Sequence, residues 1–248
     1  MKKIVNLFFI ASLFLIGFTS CEQQTEEPGG IPGMGETPGE LEIAEPFVAP
    51  QGIAINLESQ DETTLDAILS SSSQNVLKNS VIPSFVGCAG NMYNEHLNIW
   101  ILVKLTITND SDQRMCIDIP AGTVFEVSEP GFQNGIVVCP ITLCLDGKST
   151  IDVTLSLMCL NKGYDGSTTD VTYKWRGVTA SPIMQNFCKM FAKKKCKMED
   201  YDLSNSTERK KYSDIVDHIQ KAIWNLTNDG RELTQDQIDY FNSLPDRD

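Results

Sequence analysis

The stretch Leu97–Thr108 (LNIWILVKLTIT) decides the fold. Leu97, Ile99, Ile101, Val103, Leu105 and Ile107 stand at every second position, and Asn98, Lys104, Thr106 and Thr108 fall between them. Period two with one apolar face predicts a half-buried β-strand. The pattern recurs on both sides. Residues 52–58 (GIAINLE) alternate as a strand. Asn109-Asp110-Ser111-Asp112 is a turn cluster, and residues 116–127 (CIDIPAGTVFEV) return as a strand broken at Pro120 and Gly122. After a turn at Glu129-Pro130-Gly131, residues 135–145 (GIVVCPITLCL) read as a strand, Asp146-Gly147 as a tight turn, and residues 150–160 (TIDVTLSLMCL) as a strand. The inward face of that last strand is Ile151, Val153, Leu155, Leu157 and Cys159. Residues 63–79 carry a weak helical pattern interrupted by a Ser-rich tract.

Beyond residue 180 the period changes. Pro182 can open a helix running through residues 183–195 (IMQNFCKMFAKKK). Ser206 or Thr207 caps a second helix, in which Ile215, Ile219, Ala222, Ile223 and Leu226 share a face and Asn228-Asp229-Gly230 marks the end. Thr234 caps a third, stopped by Pro245. The expected class is α+β: an antiparallel, Ig-like β-sandwich over residues 51–180, followed by a helical C-terminal region over 181–248.

The N-terminus reads as an address. Lys2 and Lys3 precede an apolar run, Ile4–Phe18, too short to span a bilayer comfortably, so residues 1–20 are expected to be a signal peptide. Phe18-Thr19-Ser20-Cys21 resembles a bacterial lipobox, which implies diacylglycerol on the sulfur of Cys21 and membrane attachment through that lipid. Residues 22–50 hold seven Glu, no basic residue and recurrent Pro and Gly, so a disordered linker is expected. Its acidic start resembles the export signal of Bacteroidetes surface lipoproteins, which implies the outer membrane and a face toward the cell exterior. The chain carries 33 acidic against 20 basic residues, and the signal takes two basic and no acidic ones. That balance argues against nucleic acid as a partner.

No catalytic motif is present: no GxSxG, HExxH, CxxC or phosphate loop, and only two His, His96 and His218. No metal, no cofactor and no enzymatic activity are expected. Trp100 and Trp175 are the candidates for stacking on a glycan. The Lys189–Lys197 cluster reads as a solvated helix face. The function expected first is a non-enzymatic binding or adhesion module for a glycan or protein ligand.

With Cys21 lipidated, seven cysteines remain: Cys88, Cys116, Cys139, Cys144, Cys159, Cys188 and Cys196. Outside the cytoplasm they suggest disulfides, and an odd number leaves at least one without an intramolecular disulfide partner. In one straight strand Cys139 and Cys144 would stand about 17 Å apart. On one continuous helix Cys188 and Cys196 would be about 12 Å apart. Neither pair can bond without a break in its element.

The second expectation, of a different class, is covalent. The context of Gln220 is IQKAIWNLT and that of Cys159 is LMCLNKG. The two resemble the motifs of thioester domains in Gram-positive surface adhesins, differing in Ile219, where that family carries Thr, and Met158, where an aromatic precedes the Cys. The resemblance implies an internal thioester between Cys159 and Gln220, with Trp224, one turn after the Gln, shielding it. The segment from IPAGTVFEV to LMCLNKG also resembles uncharacterised bacterial extracellular sandwich domains, which implies a fold and no activity.

Overall fold

The computed structural model describes residues 26–58, 85–87, 101–167 and 171–247. Among these are ten strands: β1 Ile43–Pro46, β2 Ile53–Glu58, β3 Phe85–Gly87, β4 Ile101–Asn109, β5 Met115–Ile119, β6 Thr123–Val127, β7 Gly135–Ile136, β8 Ile141–Leu145, β9 Ser149–Cys159 and β10 Tyr173–Thr179. Three α-helices follow: α1 Pro182–Lys189, α2 Ser206–Thr227 and α3 Gln235–Ser243. The large sheet runs β1-β10-β6-β7-β9-β4-β2, with β3 alongside β9, and β5 pairs β8 in a second, two-stranded sheet. The ladders are antiparallel except β3–β9, which is parallel.

The deciding strand behaves as its period requires. In β4, Ile101, Val103, Leu105 and Ile107 are buried while the residues between them stay partly exposed. Their neighbours Val153, Leu155 and Leu157 lie across the β4–β9 ladder. Ile117 and Ile119 of β5, with Ile141, Leu143 and Leu145 of β8, bury against that same face and complete the sheet core. Leu97, Ile99 and Trp100 lie outside the described residues, as do residues 63–79 and Cys88.

A second core lies on the opposite face of the large sheet. Val124, Ile136, Val138, Met158 and Leu160 meet Met184, Phe187, Phe191, Ile219, Ile223 and Phe241 there. Phe187, Phe191 and Phe241 stack edge-to-face, with centroids 5.0 to 6.0 Å apart. β9 is therefore buried on both faces at its C-terminal end, with odd residues in the sheet core and even ones in the helix core. The helical region begins at Pro182, as expected, and its helices cover the sheet's second face.

Several local expectations change. Residues 135–145 form two short strands in different sheets, because the chain leaves β7 and crosses through Cys139-Pro140 before β8 begins. α1 stops at Lys189, because successive tight turns (Phe191 N–H to Cys188 O, Lys194 N–H to Phe191 O) turn the fully buried Phe191 into the aromatic cluster. Asn205 is the cap of α2, since its Oδ1 accepts from the N–H groups of Thr207 and Glu208. Thr234 caps α3 as expected, in a reciprocal box with Gln237.

The largest correction concerns residues 26–50, expected to be a disordered linker. Ile31, Met34 and Leu41 are 1 to 4 % exposed and belong to the helix core, and β1 extends the large sheet along β10. Composition across the segment is that of a solvated chain, but these three apolar side chains, with glycines between them, anchor it.

Candidate functional site

The seam between the two cores, at the end of β9, brings Cys159 and Gln220 together. Met158 and Leu160 turn their peptide groups toward β7, where the Leu160 N–H donates to the Asn134 carbonyl at 2.9 Å. Alternation along the strand turns the Cys159 N–H and C=O the other way. Gln220 meets both. Its Oε1 accepts from the Cys159 N–H at 2.8 Å, and its Nε2 donates to the Cys159 carbonyl at 2.8 Å. The carboxamide thus occupies the place of a pairing strand's peptide group. Gln220 is 3 % exposed and Cys159 fully buried.

This geometry has a chemical consequence. Two bonds hold the Gln220 amide near the plane of the strand's peptide groups, whereas a strand side chain projects from that plane. The Cys159 side chain projects from that plane into the sheet core, next to the carboxamide carbonyl that the strand holds. The Cys159 N–H polarises the same carbonyl, as a backbone donor does in an oxyanion hole. Burial pushes the Cys159 thiol pKa up, so the group is protonated in the closed site.

The surroundings come from both layers. α2 positions Gln220 because Ile215, Ile219, Ala222, Ile223 and Leu226 lock the helix onto the helix core. Trp224, one turn on, is half-buried and packs against the sheet core that contains Cys159, with its Nε1 buried and without a hydrogen-bond partner among the described residues. Tyr173 enters the same core. Its hydroxyl donates to the Gln133 carbonyl at 3.3 Å and lies 3.1 Å from Ser167 Oγ, which in turn accepts the Leu102 N–H. Burial pushes the Tyr173 phenol up to about 12, against the opposing effect of the Ser167 bond.

The remaining candidates separate from this seam. Cys116 and Cys144 face one another across β5–β8 and form a disulfide. Cys139 and Cys196 form the second, which the early end of α1 permits. Cys159 and Cys188 are thiols, and burial pushes Cys188 up to about 12. Trp175 is half-buried: it stacks on Phe47 at 3.7 Å and meets Phe125 in a tilted contact at 5.2 Å, so one ring face is taken by the protein itself. His218 bonds the Asp214 carbonyl through Nδ1 and stacks on Tyr240 at the outer side of α2, away from Cys159. Cys21, Trp100 and His96 lie outside the described residues. Among the described residues no group of three or more His, Cys, Asp or Glu side chains is arranged to hold a metal.

Sequence reasoning named Cys159, Gln220 and Trp224. Tyr173, Ser167 and Asn134 were not legible in the sequence, because their contacts depend on which strands lie side by side. No family model, no curated protein and no solved structure matches this chain.

Proposed function

We propose that this chain is a surface lipoprotein, held to the outer membrane through lipid on Cys21, whose folded part is a covalent adhesion module with an internal Cys159–Gln220 thioester. The observation that carries this reading is the double hydrogen bond between the Gln220 amide and the Cys159 backbone. The Gln220 side chain, 61 positions from Cys159 and singled out with it by motif, meets the Cys159 backbone in a buried seam at hydrogen-bonding distance. The Cys159 sulfur adds to the Gln220 side-chain carbonyl carbon. The C–N bond breaks, the thiol proton passes to the leaving nitrogen, and one ammonia departs. A target amine then attacks the same carbon, forms an amide and returns the thiol. The reaction runs once per molecule and links the surface to its target, so it serves attachment rather than turnover. The finer fold reading, an Ig-like sandwich, is supported by the core that β5 and β8 share with β4 and β9.

A second reading has its own support. The two bonds also serve to pair a buried strand end with α2, and the raised thiol pKa keeps Cys159 a poor nucleophile. In that reading Gln220 is structural and the module holds its glycan or protein ligand without a covalent bond. Methylamine separates the two. Incubated with the folded mature chain, it is expected to add at Gln220, with release of one titratable thiol at Cys159, and to leave Cys159→Ala unmodified. A folded wild-type chain that takes up no methylamine would leave the non-covalent reading standing.

A further inference from the structure

Five buried side-chain polar atoms have no hydrogen-bond partner among the described residues, and two of them, Thr123 Oγ1 and Trp175 Nε1, belong to residues that line one cleft. A buried hydroxyl or indole N–H without a partner costs stability, so its retention calls for an explanation. Alternation puts both side chains on one face of the large sheet. Thr123 shares the odd face of β6 with Phe125 and Val127, which enter the sheet core, and Trp175 packs on that core from β10. Neither Cys159 nor Gln220 lines the cleft, so it is separate from the site above.

The walls of the cleft are fixed by the fold. It encloses about 150 Å³ between β10, the chain that follows β1, and β5. Phe47 stacks on Trp175 at 3.7 Å, and the Phe47 N–H donates to the Arg176 carbonyl at 3.1 Å. A Cβ on Gly177 would overlap the Glu45 carbonyl oxygen and stand 2.7 Å from the Phe47 nitrogen. Gly177 also has a φ of 124°, so only glycine lets these two chains approach so closely. Pro46, Pro50 and Pro120 restrict the backbone around the opening.

The lining defines what a ligand must carry. Trp175 Nε1 only donates, so the ligand brings an acceptor, whereas the Thr123 hydroxyl serves an acceptor or an N–H alike. Phe47, Ile117 and Val178 add apolar wall for a methyl-sized group. The exposed carboxylates of Glu45 and Asp118 stand at the rim, and no basic residue is among the lining ones. That charge repels an anionic ligand and accepts from hydroxyl groups. An acetamido group supplies the carbonyl, the N–H and the methyl in one planar unit, and the sugar ring that bears it supplies the hydroxyls. We propose that this cleft is a subsite for the acetamido group of an N-acetylated hexosamine in a neutral glycan. Trp175 takes part through the edge of its indole, since Phe47 covers one face.

The test uses the folded mature chain with its disulfides. The probe is triacetylchitotriose, and the control is cellotriose, which has the same linkage and hydroxyls in place of the acetamido groups. Binding is followed by calorimetry and by indole fluorescence. The acetylated sugar is expected to bind about tenfold tighter than cellotriose or more, from the added hydrogen bonds and the buried methyl. Thr123→Val keeps the side-chain shape and removes the hydroxyl. It is expected to leave the fold intact, because the deleted group has no partner among the described residues, and to weaken the acetylated sugar about fivefold, the factor of one ordinary hydrogen bond. Trp175→Phe removes the N–H, keeps a ring against Phe47, and is expected to weaken the same sugar; it carries the test if Thr123→Val does not fold. No binding of the acetylated sugar, equal binding of the two sugars, or wild-type affinity in the folded variants would overturn the subsite. N-acetylglycinamide binding as tightly as the acetylated sugar would overturn the assignment to a glycan. None of these outcomes depends on methylamine uptake, so the thioester reading stands or falls separately.

Discussion

Replacing Gln220 by Ala is expected to destabilise the fold by about 2–6 kcal/mol, because it removes both buried hydrogen bonds to the Cys159 backbone, each at a cost of about 1–3 kcal/mol. Urea unfolding followed by circular dichroism gives the difference, and a loss under about 0.5 kcal/mol, the range of an ordinary surface substitution, would contradict the double bond. Gln220→Glu sharpens the test. A protonated carboxyl reproduces both bonds, accepting from the N–H and donating to the carbonyl, whereas a carboxylate cannot donate and is desolvated. Its folded pKa is therefore raised above the unfolded value. Stability is then retained at low pH and lost as pH rises through the folded pKa. The variant should approach wild type in acid and fall away toward neutrality. A pH-independent deficit would mean that the amide at this position is not bonded to the strand.

The second large effect lies in the sheet core. Ile101 is fully buried between Leu157 and the chain at Gly135, where an added Cβ would come within 3.1 Å of its Cγ2 atom. Ile101→Ala should cost about 2–5 kcal/mol, the sum of lost transfer energy and a residual cavity. Thr106 lies on the other face of the same strand, where it donates to Asp152 at 2.7 Å in solvent. Thr106→Ala should cost under about 1 kcal/mol. Shifts in denaturant midpoint at constant slope would report both. Equal, small losses would mean that the inward face of β4 is assigned wrongly.

Period two was enough to read β4 and the inward face of β9, and helical period was enough for the buried face of α2. Those patterns are legible because one layer of burial sets them. The far end of β9 is less legible. From Leu155 onward both faces are buried, and alternation vanishes where the helix layer arrives. The Cys159–Gln220 pairing was readable only through short motifs, since no periodicity relates positions on a strand and a distant helix. Disulfide partners were not readable. Cys116 meets Cys144 because of the β5–β8 register, and Cys139 meets Cys196 because Phe191 pulls the chain out of α1. Residues 26–41 misled most. Averaged composition treats Gly29, Gly33 and Gly35 as sources of chain entropy, whereas Gly29 and Gly35 are the points at which backbone packs on backbone.

The central claim is the covalent bond between Cys159 and Gln220, and intact mass combined with thiol counting tests it most directly. The folded mature chain is measured without reductant, then denatured under conditions that trap any exposed thiol, and the peptide containing Cys159 is identified. The account predicts a mass lower by one ammonia than the sequence with its disulfides requires, a Cys159 peptide linked to the Gln220 peptide, and no titratable thiol at Cys159. Full mass, with Cys159 trapped as an ordinary thiol and Gln220 recovered as an intact amide, would contradict it.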